Sequence, residues 1–147
     1  QLVAARAKLQ GADLRTDLPP QPIRLIADFE QLRQVLVNLL FNAFEAMPDG
    51  GSVTIAVSTD AANGDVIMAV SDTGAGLRPD IKQRLFDPFV SSKDAGTGLG
   101  LSISRRIIED HGGTITARSA AGSGTVFELR LPVSGDDVVR NEESEIT

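Results

Sequence analysis

The segment 28–47, DFEQLRQVLVNLLFNAFEAM, carries apolar residues around nearly its whole circumference when it is drawn as a helix. Such a helix has to be covered by other elements, so the rest of the chain must fold around it. Buried amides and carboxylates cost free energy unless they have polar partners. One narrow stripe of this helix is nevertheless polar, and its members are Gln31, Gln34, Asn38, Asn42 and Glu45. The stripe predicts a polar ligand against the helix, which we interpret as a nucleotide with its metal ion.

The composition limits the classes of partner. With 147 residues, of which 41% are hydrophobic, the chain suits a single globular domain with one core. The chain has no cysteine, so we expect any metal ion to be held by oxygen. A net charge of −6 and the absence of Trp and Tyr argue against a nucleic-acid partner. No apolar run approaches the roughly 20 residues of a membrane span, so no membrane contact is expected from this segment.

Apolar periodicity predicts the other elements. Strands are expected at 12–18 and 23–27, as an edge hairpin, and at 52–59, 66–70, 114–119 and 124–131, with 66–70 central and an Asn63-Gly64 turn before it. Helices are expected at 1–10, at 79–85 and from Leu99 to His111, where Gly112 ends the last one. These elements predict an α/β two-layer sandwich in which a mixed five-stranded sheet is covered on one face by three helices. The domain would span residues 1–133, and the acidic segment 134–147 is expected to be a disordered tail.

Three groups of residues are candidates for chemistry. Asn38 and Asn42 can contribute an amide oxygen to Mg²⁺, which keeps several waters, although both amides can instead satisfy loop backbone. The motif DTGAG at 72–76 follows the central strand, where a carboxylate can accept a hydrogen bond from an exocyclic amine; alone it is also typical of a tight turn. The motif GTGLG at 96–100 opens a helix, and its backbone amides suit phosphates. Lys93 precedes it in a long loop, 86–98, which predicts a lid.

Taken in this order, the motifs resemble those of the catalytic, ATP-binding domain of two-component sensor histidine kinases. The segment QVLVNLLFNAFEAM is similar to the N box of this family, DTGAGL to its G1 box, LFDPF to its F box and GTGLGLSIS to its G2 box. The resemblance runs from about Gln31 to Pro132 and implies the Bergerat ATP-binding fold of the GHKL group. The short lid and the Asn-Ala-x-Glu-Ala pattern are similar to the nitrogen-regulation and oxygen-sensing branch.

The resemblance implies ATP or ADP and Mg²⁺ as cofactors, and a role for each matching residue. Asn42 would hold the metal ion, with Asn38 as the second candidate, and Asp72 would receive the adenine amine. Hydrolytic relatives carry a Glu at the position of Asn38, and an amide cannot take a proton from water, so we expect poor hydrolysis. The nucleotide-binding set implied by the resemblance is Asn38, Asn42, Glu45, Asp72, Gly74, Gly76, Leu85, Lys93, Gly96, Thr97, Gly98, Leu99, Gly100, Leu101 and Thr125.

The family's phosphoacceptor histidine is the main departure. The only histidine of this chain is His111, which stands at a helix end and is interpreted as structural. The acceptor would lie on a histidine-bearing dimerisation domain before Gln1. We expect this domain to be cytoplasmic, whether or not the parent kinase is anchored in the inner membrane, and a response regulator to be an indirect partner. An anti-sigma-type serine kinase and a non-catalytic nucleotide-binding module of the same fold stay open. A remote alternative is a DTG-type aspartic protease, which would be nearly all β.

Overall fold

The computed structural model describes residues 11–20, 23–60, 62–76, 85–86, 100–119, 124–133 and 143–145. Its elements are β1 (Ala12–Asp17), β2 (Arg24–Ile26), α1 (Phe29–Glu45), β3 (Gly51–Thr59), β4 (Val66–Asp72), α2 (Gly100–Asp110), β5 (Thr114–Ser119), β6 (Thr125–Leu131) and β7 (Glu143–Glu145). The helices predicted at 1–10 and 79–85 lie outside the described residues, as does nearly all of the predicted lid.

Five strands form the main sheet, in the order β1-β3-β4-β6-β5. β1 runs parallel to β3, whereas every other neighbouring pair is antiparallel. The sheet is therefore mixed, as predicted, and β4 is its central strand. Val70 lies opposite Ile55 on one side and Phe127 on the other, which extends the apolar layer across three strands.

The predicted hairpin between the first two strands is wrong. β1 pairs with β3, with Leu14 opposite Val53, and β2 leaves the main sheet to pair with β7. Pro19 and Pro20 in the connection lack an N–H and restrict φ, so they do not form the tight turn that a hairpin needs. The short strand β7 lies in the segment for which we expected disorder.

One face of the sheet is covered by the two described helices, which pack on each other and on the strands. Alternate residues of the central strands point towards them and are buried, as the strand period requires. These include Val53, Val57, Val66, Met68, Val70, Phe127, Leu129 and Leu131. α1 contributes Val35, Leu39, Leu40, Ala43 and Phe44, and α2 contributes Ile107 and Ile108. This confirms the two-layer α/β sandwich, with two helices in the part of the chain described.

The helix ends agree with the sequence signals. The Asp28 carboxylate accepts a hydrogen bond from the Gln31 N–H at 3.1 Å and so caps α1. Gly112 has a φ of +78° after α2, a left-handed conformation in which glycine is favoured at a helix C-terminus. Neither described helix is long and apolar enough to cross a lipid bilayer.

Candidate functional site

The carboxyl end of β4 carries a buried carboxylate. Asp72 lies opposite Thr125 of β6 and Val53 of β3, and both Asp72 and Thr125 are buried. Asp72 Oδ1 accepts a hydrogen bond from the Gly74 N–H at 2.8 Å. A buried carboxylate is stable only with hydrogen-bond partners, and this bond holds one oxygen in a defined direction.

The turn after Asp72 is packed between two other backbone segments. A Cβ on Gly74 would collide with the Ala46 carbonyl oxygen at the end of α1. On the other side, a Cβ on Gly124 would collide with the Asp72 carbonyl oxygen, and Gly124 has a φ of +84°. Glycine at 74 thus has a packing reason within the chain, in addition to the close approach of a base that the resemblance implies.

The polar stripe of α1 is divided between two environments. Asn38 is half-buried, and its Nδ2 donates to the Gly100 carbonyl oxygen at 3.4 Å and to Ser104 Oγ at 3.3 Å. Asn42 is also half-buried, but its side-chain amide makes no hydrogen bond within the part of the chain that the structure describes. Gln31, Gln34 and Glu45 are exposed. The alternative of an amide that satisfies the backbone therefore applies to the Nδ2 of Asn38, and these two bonds do not use its Oδ1.

The backbone brings the Asn42 and Asp72 segments to the same end of the sandwich. Ala46 follows Asn42 by one helical turn and contacts Gly74, which follows Asp72 by two residues. The described residues contain no cluster of three or more His, Asp or Glu side chains that would hold a metal ion. A half-buried amide oxygen fits Mg²⁺, which needs few protein ligands when phosphate oxygens and waters complete its shell.

The other candidates are divided between described and undescribed residues. Leu85 is buried in the core, and Leu101 of α2 packs against the core. Gly100 begins α2, while Gly76 has a φ of +85° and lies close to Gly124. The candidates outside the described residues are Lys93, Gly96, Thr97, Gly98 and Leu99.

A surface depression of about 340 Å³ lies beside the N-terminal half of α1. Its lining residues are Asp28, Glu30, Gln31, Arg33, Gln34, Val37 and Asn38. The depression reaches the polar stripe at Asn38 but is not lined by Asp72 or Thr125. It therefore adjoins the Asn38 end of the stripe and is separate from the buried carboxylate.

His111 has both ring nitrogens engaged within the chain. Nδ1 lies 2.8 Å from the Ile107 carbonyl oxygen, to which it donates, and Nε2 accepts a hydrogen bond from the Asp28 N–H at 3.0 Å. The ring joins the end of α2 to the start of α1. This confirms the structural role predicted for His111, because neither nitrogen is free to attack phosphorus.

Two residues near the site were missed by the sequence reasoning. Ser104 is fully buried and holds Asn38, and Thr73 binds the start of β3 through its side chain and its N–H. A serine on the apolar face of α2, three and four residues before Ile107 and Ile108, is a signal that a polar partner lies opposite. Thr73 gave no such signal, because its contacts depend on tertiary packing.

The family model described as "Histidine kinase-, DNA gyrase B-, and HSP90-like ATPase" matches residues 27–135. Sensor histidine kinase ZraS of Klebsiella oxytoca is 42% identical over 135 residues, which are 92% of this chain but only 29% of that relative. The solved catalytic domain of histidine kinase ThkA is 34% identical with a TM-score of 0.79, over 89% of this chain and 85% of that one. Histidine kinase ThkA in complex with response regulator protein TrrA matches with 30% identity and a TM-score of 0.77, over 93% of this chain and 39% of that one.

These likenesses agree with the architecture. The mixed sheet covered by two helices is incompatible with the nearly all-β fold that an aspartic protease would need. The motifs DTGAG and GTGLG both lie inside the matched range. The chain belongs to the histidine kinase-, DNA gyrase B- and HSP90-like ATPase family, and it is a catalytic domain of the histidine kinase type.

Proposed function

We propose that this domain binds Mg·ATP and donates the γ-phosphate to a histidine on a separate dimerisation domain of the same kinase. The observation that carries the proposal is the arrangement at one end of the sandwich. There the buried Asp72 carboxylate and the half-buried Asn42 amide belong to segments that meet at the Gly74–Ala46 contact. An acceptor for an exocyclic amine and a ligand for a hard cation are the two polar groups that an adenine nucleotide needs.

In this proposal Asp72 accepts a hydrogen bond from the adenine amine, and Thr125 assists through water. Leu85 contributes apolar surface to the adenine ring. Asn42 holds Mg²⁺, which would neutralise charge on the phosphate oxygens when bound. The phosphates would contact Lys93 and the backbone amides of 96–101, where the N-terminal end of α2 favours an anion.

In this proposal Asn38 favours transfer of the γ-phosphate to histidine over hydrolysis of ATP. Its amide nitrogen is engaged by Gly100 and Ser104, and an amide oxygen is too weak a base to take a proton from water. The γ-phosphate would therefore be held without an activated water. The depression beside Asn38 is the open surface through which we propose that the acceptor histidine approaches.

The partners follow from the same proposal. The histidine-bearing domain would be supplied by the rest of the kinase, since this chain spans less than a third of ZraS. A response regulator would then receive the phosphate from that histidine; the complex of ThkA with TrrA supports this class of partner. We propose a cytoplasmic location for this domain, whether or not its parent kinase is anchored in a membrane.

Calorimetric titration of ADP, with and without Mg²⁺, tests nucleotide binding directly. Asp72→Asn keeps an oxygen that can accept from the Gly74 N–H but introduces a donor beside the adenine amine. We expect a loss of about 2 kcal/mol, roughly 30-fold in affinity, from the mismatched buried group. Asn42→Ala should mainly remove the part of the ADP affinity that depends on Mg²⁺. Asp65→Asn, in the β3–β4 connection at the opposite end of the sheet, is the matched control. Unchanged ADP affinity in folded Asp72→Asn would contradict the assignment.

Transfer is tested by mixing the domain with radiolabelled ATP and the parent's histidine-bearing domain. Label should appear on that partner as an acid-labile, alkali-stable phosphoramidate, and slowly, because tethering normally supplies an effective concentration of about millimolar. Acid-stable label on serine would instead support the anti-sigma-type alternative. Binding without any transfer would support the non-catalytic module.

A further inference from the structure

Thr73 occupies a junction of three elements that no assigned role explains. Its hydroxyl accepts a hydrogen bond from the Ser52 N–H at 3.0 Å and donates to Met47 Sδ at 3.5 Å. Its own N–H donates to the Ser52 carbonyl oxygen at 3.2 Å. Thr73 therefore ties the end of β4 to the start of β3 and to the residue that follows the C-cap of α1. We call Met47, Gly51, Ser52 and Thr73 the junction.

The junction is tightly packed. Gly51 has a φ of +147°, and a Cβ built there would lie 2.6 Å from Thr73 Oγ1 and 2.7 Å from Met47 Sδ. Both distances are shorter than real side chains allow, so glycine at 51 is needed for the hydroxyl to reach its partners. Thr73 itself is exposed, and burial of its own side chain does not account for the arrangement. The hydrogen bonds of the Thr73 hydroxyl therefore account for the arrangement of this junction.

The position of Thr73 in the chain links the junction to the site. It stands between Asp72, whose carboxylate is buried, and Gly74, which contacts Ala46. Met47 follows Asn42 by five residues across the end of α1. The hydroxyl therefore acts on the turn that orients Asp72 relative to the helix that carries Asn42.

We propose that Thr73 is a positioning residue for nucleotide recognition: its hydroxyl holds the Asp72 turn against the end of α1, so that the adenine and metal ends of the site keep one relative arrangement. The inference rests on the function proposed above and deepens it. Preorganised polar groups bind more selectively than mobile ones, because no ordering cost is left for the ligand to meet. Removing the hydroxyl leaves the β4 ladder with β3 and β6 intact, so the expected effect falls on selectivity more than on the fold.

The test compares ADP with inosine diphosphate, which has a carbonyl oxygen in place of the exocyclic amine. The ratio of the two affinities, measured by calorimetry, reports how well Asp72 is placed. Thr73→Val has nearly the same shape but no hydroxyl. We expect it to lower the preference for ADP by about three- to tenfold, which is the effect of losing one hydrogen bond between Asp72 and the adenine amine. Thr73→Ser keeps the hydroxyl and should restore the preference. Thr54→Val, the same substitution on the face of β3 that alternates with the buried Val53, is the matched control.

The outcomes separate this inference from the proposed function. If the unmodified domain does not bind ADP, the proposed function fails and the inference fails with it. If it binds and prefers ADP but Thr73→Val keeps the same preference, only the positioning role is overturned, even where stability falls. Thr73→Ala removes the same hydroxyl from an exposed side chain and gives the same readout if Thr73→Val does not fold. Loss of preference in both, with restoration by serine, supports the proposal.

Discussion

Replacing Gly124 with alanine tests whether the close backbone contact between Gly124 and Asp72 adds to stability. The cost of placing alanine at a positive φ has to be separated from the cost of losing that contact. Gly124 has a φ of +84°, and a Cβ there would collide with the Asp72 carbonyl oxygen and lie 3.2 Å from the Thr73 Cα. Gly64, in the β3–β4 connection, has nearly the same φ of +77°, yet nothing lies within 4 Å of its Cβ position. Alanine at either position would therefore have nearly the same unfavourable φ, but only at position 124 would its Cβ also collide with the backbone.

The magnitudes follow from these two terms. A left-handed alanine costs about 1–2 kcal/mol, and the stiffer unfolded chain returns about 0.4–1 kcal/mol, so Gly64→Ala should lower the free energy of unfolding by about 1 kcal/mol. Gly124→Ala adds a steric term of about 1–3 kcal/mol, because β6 or the Asp72 backbone must shift. We expect a total of about 2–4 kcal/mol for Gly124→Ala.

Urea unfolding at constant m-value gives the two stability changes, and calorimetry gives ADP affinity in the same samples. The shift should move Asp72 and weaken ADP binding by about tenfold, the equivalent of one hydrogen bond, whereas Gly64→Ala should leave the affinity unchanged. Equal losses of stability in the two variants would refute the contact argument. A large loss for Gly124→Ala with full ADP affinity would show that β6 yields and Asp72 stays in place.

Two further predictions concern residues outside the proposed binding set. His111→Phe keeps a ring but loses the hydrogen bonds to Ile107 and Asp28. The free energy of unfolding should therefore fall by about 1–3 kcal/mol, with ADP affinity unchanged. An unchanged urea midpoint would show that these hydrogen bonds add no net stability. The Ala62 N–H and then the Arg130 guanidinium hold the pKa of Asp60 below its ordinary value of 3.8. Because the folded-state pKa is lowered, the stabilisation is present above about pH 4 and is lost as the pH falls through the folded-state pKa. The stability difference between wild type and Arg130→Met should therefore shrink on acidification between about pH 5 and pH 2, and a pH-independent difference would contradict this linkage.

The periodicity of the sequence was sufficient to predict the strands and helices, but not to predict which strands pair with each other. The strand at 66–70 is continuously apolar, and such a run predicts a strand with neighbours on both sides, which β4 has. The alternation in 12–18 equally predicts a strand, but it carries no information on which strand lies beside it. The parallel pairing of β1 with β3 spans α1 and depends on how that helix packs on the sheet. The sequence therefore predicted the strand and missed its partner.

The same distinction applies to the glycines of the site. Gly74 belongs to the DTGAG motif, for which the sequence suggested a tight turn or a ligand, whereas Gly124 was placed at the start of a predicted strand. The structure gives another reason for each, a carbonyl oxygen from a segment far away in the chain. No local pattern contains that information, because the Ala46 carbonyl comes close only after α1 has packed over the sheet.

Asn38 and Asn42 show how one sequence signal divides into two roles. Both are asparagines on one stripe, a turn apart. The residues alone allowed each to bind a metal ion or to satisfy loop backbone, and the family resemblance favoured Asn42 for the metal ion. α2 begins beside Asn38, where the Gly100 carbonyl oxygen and the buried Ser104 hydroxyl engage its amide nitrogen. Within the described residues nothing engages the amide of Asn42 in the same way, so Asn38 is tied to α2 through its nitrogen whereas Asn42 is not.

This division also has a consequence for the phosphate end of the proposed site. Residues 96–101, which we propose contact the phosphates, lead into the first turn of α2, and that turn is attached to α1 through Asn38 and Ser104. The amide at 38 then does two things that a glutamate could not combine. It holds a backbone carbonyl as a donor, and it supplies no base for water, since a carboxylate would repel the carbonyl and could accept a proton. Under the proposed function, asparagine at this position would both place α2 and disfavour hydrolysis.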